Sequence, residues 1–131
     1  MVQLSEKARK LLQEPNYLYL ATLNRDGSPQ VTPVWVDIED DRVLINTAVG
    51  RVKERNGRRD PRIAASIAAR DNPWEKVDIR GRIVEFIEGE RAESHIDFLA
   101  RKYIGEDRYP WRRAEERRVI LVIEADRIHE M

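Results

Sequence analysis

Arg42 to Arg62 reads RVLINTAVGRVKERNGRRDPR. Val43, Leu44 and Ile45 make a short strand pattern that reaches polar Asn46 and Thr47, and the small-residue turn Ala48-Val49-Gly50 follows. The run Arg51-Val52-Lys53-Glu54-Arg55-Asn56 is helical and basic until Asp60-Pro61 stops it. A strand that delivers a hydroxyl and a glycine to the start of a basic helix makes an anion site. The amides of the first helical turn lack intrahelical partners, and the helix dipole favours negative charge there. Arg51 adds a guanidinium fork and Lys53 a point charge. The stretch fits the phosphate cradle of a bound cofactor, and equally a solvated charged helix.

Outward from this stretch the pattern is mostly β. Upstream, Leu4, Ala8, Leu11 and Leu12 recur at helical spacing behind Ser5, a candidate N-cap, until Pro15-Asn16. Tyr17 to Leu23 (YLYLATL) is aromatic or aliphatic throughout, which predicts a strand buried on both faces. The turn formers Asn24 to Pro29 fold it back onto a return strand, Gln30 to Ile38. Pro33 cannot donate to a ladder, so that strand sits at an edge or bulge, where a flat ligand can lie against the backbone.

Downstream, Arg62 to Ala69 gives a fourth strand, and Asp71 to Trp74 a loop. Lys76 to Ile87 gives a fifth strand with Gly81 at a bulge. Glu90 to Ile104 is a helix whose stripe is Ala92, His95, Ile96, Leu99 and Tyr103. A polar loop with Tyr109 and Trp111 leads to the final strand, Arg118 to Ala125. Six strands with flanking helices, joined mostly by short turns, predict one small barrel domain over residues 1–131.

Composition narrows the function. The chain of 131 residues is long enough for one core. Lys plus Arg equals Asp plus Glu at 24 each, so no global field recruits nucleic acid or an anionic membrane, and any anion site is local. No apolar run reaches the roughly 20 residues a membrane helix needs, and the charged start MVQLSEKARKLLQE lacks a signal core. These features predict a cytoplasmic protein. No cysteine is present, and two isolated histidines make no metal constellation. His95, on the apolar stripe, is expected to be a hydrogen-bonded core residue and His129 to be exposed. No nucleophile motif or carboxylate pair stands out, so no side chain is assigned a catalytic role. A chain without its own chemistry suits an enzyme whose cofactor carries the hard step.

The order of elements resembles the pyridoxamine 5′-phosphate oxidase-like family of FMN-binding split barrels. Within it, the chain is most similar to small reductases that use the deazaflavin coenzyme F-420. The resemblance rests on YLATLNRDGSPQVTPVWV at 19–36, GRVKERNGRRDPR at 50–62 and ERRVILVIEADRI at 116–128. It implies a mostly β, six-stranded split β-barrel that forms a homodimer with two cofactor sites at the interface. The phosphate side maps onto Thr47, Arg51, Val52 (by its backbone N–H) and Lys53. The ring system maps along Gln30, Thr32, Pro33, Val34 and Trp35, with Trp74 near ring or tail. Trp35 is equally a candidate for dimer core, and Tyr109 and Trp111 for a substrate mouth or a surface staple. Arg55, Arg58 and Arg59 are expected to be solvated or at an interface.

The vitamin-processing oxidases carry a Ser-Arg-Lys motif and a further C-terminal segment that binds pyridoxal phosphate. The counterpart here is Gly50-Arg51-Val52-Lys53, and Met131 follows soon after the last strand. This departure argues against pyridoxamine phosphate oxidation and places the deazaflavin ahead of FMN. The resemblance thus implies hydride transfer from reduced coenzyme F-420 to a small electron-poor organic substrate. The alternatives are an FMN-dependent oxidoreductase and a cofactor-binding protein without turnover.

Overall fold

Gln30 to Ile38 is two strands rather than one. In the structure, a computed structural model that describes residues 1–130, it divides into β2 (Pro29–Val34) and β3 (Val36–Glu39), with only Trp35 between them. The other strands are β1 (Leu18–Leu23), β4 (Arg42–Ala48), β5 (Arg62–Ala69), β6 (Asn72–Glu88) and β7 (Arg118–Glu130). The helices are α1 (Glu6–Gln13), α2 (Val52–Arg59) and α3 (Glu90–Ile104). All strands pair antiparallel in one sheet of order β2-β1-β5-β6-β7-β4-β3. The count is therefore seven strands, not six. Pro33, which has no N–H to offer a second neighbour, lies on β2 at one edge of the sheet, and β3 lies at the other.

That order forces the curl. Strands joined by a single residue sit at opposite edges, so the sheet must bring its two edges together at Trp35. This is a split barrel. Gly81 helps bend it: the β6–β7 register shifts between Arg80 and Gly81, and a Cβ on Gly81 would lie 2.2 Å from the Glu124 carbonyl oxygen. The interior is filled from all sides, by Leu18, Leu20, Val43, Ile45, Ile67, Val77, Leu121 and Ile123 among others. Ala8, Leu11 and Leu12 of α1 join the same cluster. Ser5 is its N-cap, its Oγ accepting from the Ala8 amide at 3.1 Å.

Two other expectations need correction. YLYLATL is not buried on both faces: Leu18, Leu20 and Thr22 point inward, while Tyr19 is 54% exposed on the outer face. Asp71 to Trp74 is not a loop. The chain turns at Arg70-Asp71, and Asn72, Pro73 and Trp74 already belong to β6, because the turn is tight enough to pair Asn72 with Ala69.

The crossing at Trp35 is pinned by α3. The Tyr103 hydroxyl accepts from the Val36 amide (3.0 Å) and donates to the Asn16 carbonyl (2.6 Å). Lys102 Nζ donates to the carbonyls of Leu12 and Val36, both at 2.6 Å. Burial pushes Lys102 down to about 8, against the pull of Asp37, and pushes Tyr103 up to about 12.

These shifts predict the alkaline stability profile. For Lys102 the folded value lies below the unfolded one of about 10.4, so the unfolded chain holds more protons in between. Stability therefore rises from about pH 8 toward 10. For Tyr103 the folded value lies above the unfolded one of about 10, so its contribution is complete below that pH and is lost toward about 12. Denaturant midpoints should peak near pH 10. Lys102→Met should reduce the rise and Tyr103→Phe the fall; a profile unchanged in both variants contradicts the assignment.

Candidate cofactor site

A cavity of about 260 Å³ opens beside the Trp35 crossing, between the end of β4, the start of α2 and the loop that follows α3. One pole is cationic. Thr47 and Asn46 come from the end of β4, Arg51 and Lys53 from the start of α2, and Arg118 from the start of β7. The other pole is aromatic: Tyr17, Trp35, Tyr109 and Trp111, with Pro33, Val34 and Ile96. Trp35 stacks on Tyr103 (centroids 5.3 Å apart, 6° between planes) and meets Tyr109 edge-on at 6.1 Å. Tyr109 meets Trp111 edge-on at 5.6 Å. A planar ligand with an anionic end suits both poles.

The local fold explains the cationic pole. Gly50 takes φ +94, a left-handed turn that launches α2 directly from β4. Glu54 reaches back to accept from the Gly50 amide at 2.8 Å, and Arg51 is an N-cap without a side-chain cap bond. The Val52 and Lys53 amides in the first turn have no backbone acceptor. Lys53 makes no hydrogen bond or ion pair among the described residues. Burial, then repulsion from Arg51 and Arg118, pulls its ammonium below the usual lysine range.

One acid answers these charges. Glu116 pairs with Arg51 at 3.1 Å and Arg118 at 2.9 Å. Burial pushes its carboxyl up, but those two arginines outweigh burial and hold it below its usual range. Three cations against one carboxylate leave a local excess of positive charge in a chain with no net charge.

Three buried side-chain oxygens lack hydrogen-bond partners among the described residues: Gln30 Oε1, Thr32 Oγ1 and Thr47 Oγ1. Gln30 and Thr32 pair with Thr22 and Leu20 on β1, so all four face the barrel interior along the unpaired edge of β2. A buried oxygen left without a donor costs about 1–3 kcal/mol. All three belong to residues that the resemblance assigns to a cofactor, and the unpartnered Lys53 stands in the same cavity as Thr47. The residues present fit a phosphate-bearing flavin-type group.

Of the expected site residues, Pro33, Val34, Trp35, Thr47, Arg51 and Lys53 line this cavity together. Val52 lies at the helix start between them, with its side chain toward a second groove. Trp74 lies elsewhere, 72% exposed at the start of β6. The second groove, about 800 Å³, runs along the other side of α2 and is lined by Asn24, Arg25, Arg55, Asn56, Arg58 and Arg59. It is larger but has no aromatic wall for a ring. Four lining residues escaped the sequence reading as site residues: Tyr17, Asn46, Ile96 and Arg118. Arg118 had a signal: it opens the apolar run Val119 to Ile123, buried on both faces, where a charged residue has to find partners. His95 matches expectation, bonded to Asp37 at 3.0 Å, and His129 is exposed. Among the described residues, no group of three or more His, Asp or Glu could hold a metal.

Known structures share this architecture. A structure described as an F420 reductase is 27% identical, with 98% of this chain and 100% of that one covered and a TM-score of 0.84. A conserved hypothetical protein from Mycobacterium tuberculosis is 23% identical over 98% and 84% of the two chains, at a TM-score of 0.75. General Stress Protein 26 from Bacillus anthracis superposes at 0.71 with 15% identity, over 96% and 92%. No curated protein matches in sequence. The model of the pyridoxamine 5′-phosphate oxidase family matches residues 4–131. This chain, with its curled split sheet, belongs to that family.

Proposed function

We propose that this chain is a cytoplasmic, homodimeric oxidoreductase that binds the deazaflavin coenzyme F-420 and serves hydride transfer to a small electron-poor organic substrate. One observation carries the proposal. The unpartnered Lys53 and the orphaned Thr47 hydroxyl share a cavity with an aromatic wall, in a chain 27% identical to an F420 reductase across its length. Gly50 where the oxidases carry serine favours the deazaflavin over FMN. When bound, the reduced cofactor would supply the hydride. Thr47, Arg51, Lys53 and the Val52 amide hold its phosphate, while Pro33, Val34 and Trp35 position its ring. Tyr109 and Trp111 shield the mouth from water. Orientation and exclusion of water supply much of the barrier reduction, so no side chain is needed as an essential acid or base.

Two features support a second copy of the chain. The cavity, at about 260 Å³, is smaller than the roughly 300–1,000 Å³ of small-molecule sites, so a partner wall would complete it. The outer face of β1 and β2 also presents Tyr19 (54% exposed), Val31 (61%) and Pro33 together.

Titrated side by side at fixed salt, the deazaflavin coenzyme should bind more tightly than FMN, to a species sedimenting at twice 15.4 kDa. Tighter FMN binding reverses the cofactor assignment, and a cofactor-competent monomer removes the dimer.

Lys53→Met separates stability from binding. Removing a half-buried charge that has no acid partner should raise the melting temperature without ligand, as commonly happens at functional sites. It should also weaken cofactor binding by roughly 1.5–3 kcal/mol, the scale of a charge-assisted hydrogen bond. Melting curves and titrations on the same protein check both. A variant that binds as well as the parent moves the phosphate site elsewhere.

A further inference from the structure

Arg118 is 4% exposed, yet it has only one acid on its guanidinium, and it shares that acid with Arg51. Its Nη1 donates to Glu116 (2.9 Å), its Nε donates to Asn46 Oδ1 (2.9 Å), and its plane lies 5.2 Å over the Tyr109 ring. Its Nη2 makes no hydrogen bond among the described residues. A buried arginine is ordinarily matched by carboxylates; here its second partner is a neutral amide.

That amide has one possible orientation. Asn46 Nδ2 donates to the Ala92 carbonyl at 2.9 Å, which can only accept, and Oδ1 faces the Arg118 Nε–H, which can only donate. The other contact of Nδ2, at 3.2 Å, is His95 Nδ1. This nitrogen must therefore accept, which puts the His95 proton on Nε2, 3.0 Å from Asp37 Oδ2. The result is a one-way chain of donors: Arg118 to Asn46, Asn46 to His95, His95 to Asp37. Bonds aligned in one sense polarise one another. The chain ties β7, β4, α3 and β3 together and anchors the guanidinium to the strand that begins just after Trp35. It does so without placing a carboxylate in the cavity.

We propose that Arg118 is a third phosphate ligand of the cavity, and that Asn46, His95 and Asp37 form a positioning relay that keeps its fork turned toward the ligand. The inference rests on the cavity being the phosphate end of a cofactor site. Asn46 sets the charge: an aspartate there would neutralise Arg118 and cancel one of the three cations. His95 supports that orientation: its Nδ1 accepts the second Nδ2 proton, and its Nε2 ties the amide to Asp37.

The test isolates the phosphate by comparing FMN with riboflavin, which differ only there; coenzyme F-420 against its bare deazaflavin chromophore, which lacks the phosphate and the tail beyond it, is the second pair. The quantity read is the ratio of the two dissociation constants, with thermal melts confirming the fold. Arg118→Gln and Asn46→Asp should each cut that ratio by about tenfold or more while leaving the phosphate-free ligand within about twofold. His95→Leu should cut it in part. His95→Gln, whose amide can accept from Asn46 and donate to Asp37, should restore it. The relay is wrong if Asn46→Asp keeps the parent ratio, if His95→Gln is no better than His95→Leu, or if both ligands of a pair weaken together, as a purely structural role requires. A parent chain that binds neither phosphorylated ligand overturns the cofactor reading and the relay with it; a parent that binds, with a ratio the variants leave unmoved, overturns the relay alone.

Discussion

The structure depends on a constraint at one residue. Strands at opposite edges of a seven-stranded sheet are covalently joined through Trp35, so the sheet cannot lie open. Closing it fully would need β2 to pair with a second neighbour, and Pro33 has no amide to offer. The sheet therefore stays curled and split. The backbone where it diverges is held by groups from α3, with Tyr103 on the Val36 amide and Lys102 on the Val36 carbonyl. Along the same edge, the inward-facing Gln30 Oε1 and Thr32 Oγ1 of β2 are buried without a hydrogen-bond partner among the described residues. The cavity is a consequence of how the barrel fails to close.

Its electrostatics follow from restraint in placing acids. The chain carries 24 acidic residues, enough to balance every Lys and Arg, yet the cavity has one carboxylate, Glu116, against Arg51, Lys53 and Arg118. Three arginines elsewhere each hold two acids: Arg112 has Glu93 and Asp97, Arg82 has Glu124 and Asp126, and Arg58 has Glu54 and Glu88. Overall neutrality hides a strongly polarised site. Burial lowers the dielectric around Arg118 and, in part, Lys53, which strengthens their pull on an anion and disfavours them without one. A site tuned this way gives up stability for affinity.

Much of this was legible in the residues. The strand-turn-helix of 42–62 read correctly because turn chemistry and helix period are local signals, and Pro33 marked an edge for a covalent reason. The division of β2 from β3 was not legible: Val34, Trp35 and Val36 all favour strand, and only the competition of two sheet edges for the chain breaks them apart. The loop expected over 71–74 failed because Asp-Asn-Pro reads as a turn, while pairing with β5 draws Asn72 and its followers into β6. The relay from Arg118 to Asp37 joins four elements, with sequence separations of 72, 49 and 58 residues, and no local pattern carries such a contact.

A crystal structure of the chain with coenzyme F-420 or FMN bound tests most directly whether the split at Trp35 holds a phosphate-bearing planar cofactor. The phosphate is expected within hydrogen-bond reach of Thr47 Oγ1 and Lys53 Nζ, with the ring against Pro33 to Trp35. A phosphate seated instead in the groove of Arg25, Arg55 and Arg59, on the far side of α2, would contradict it.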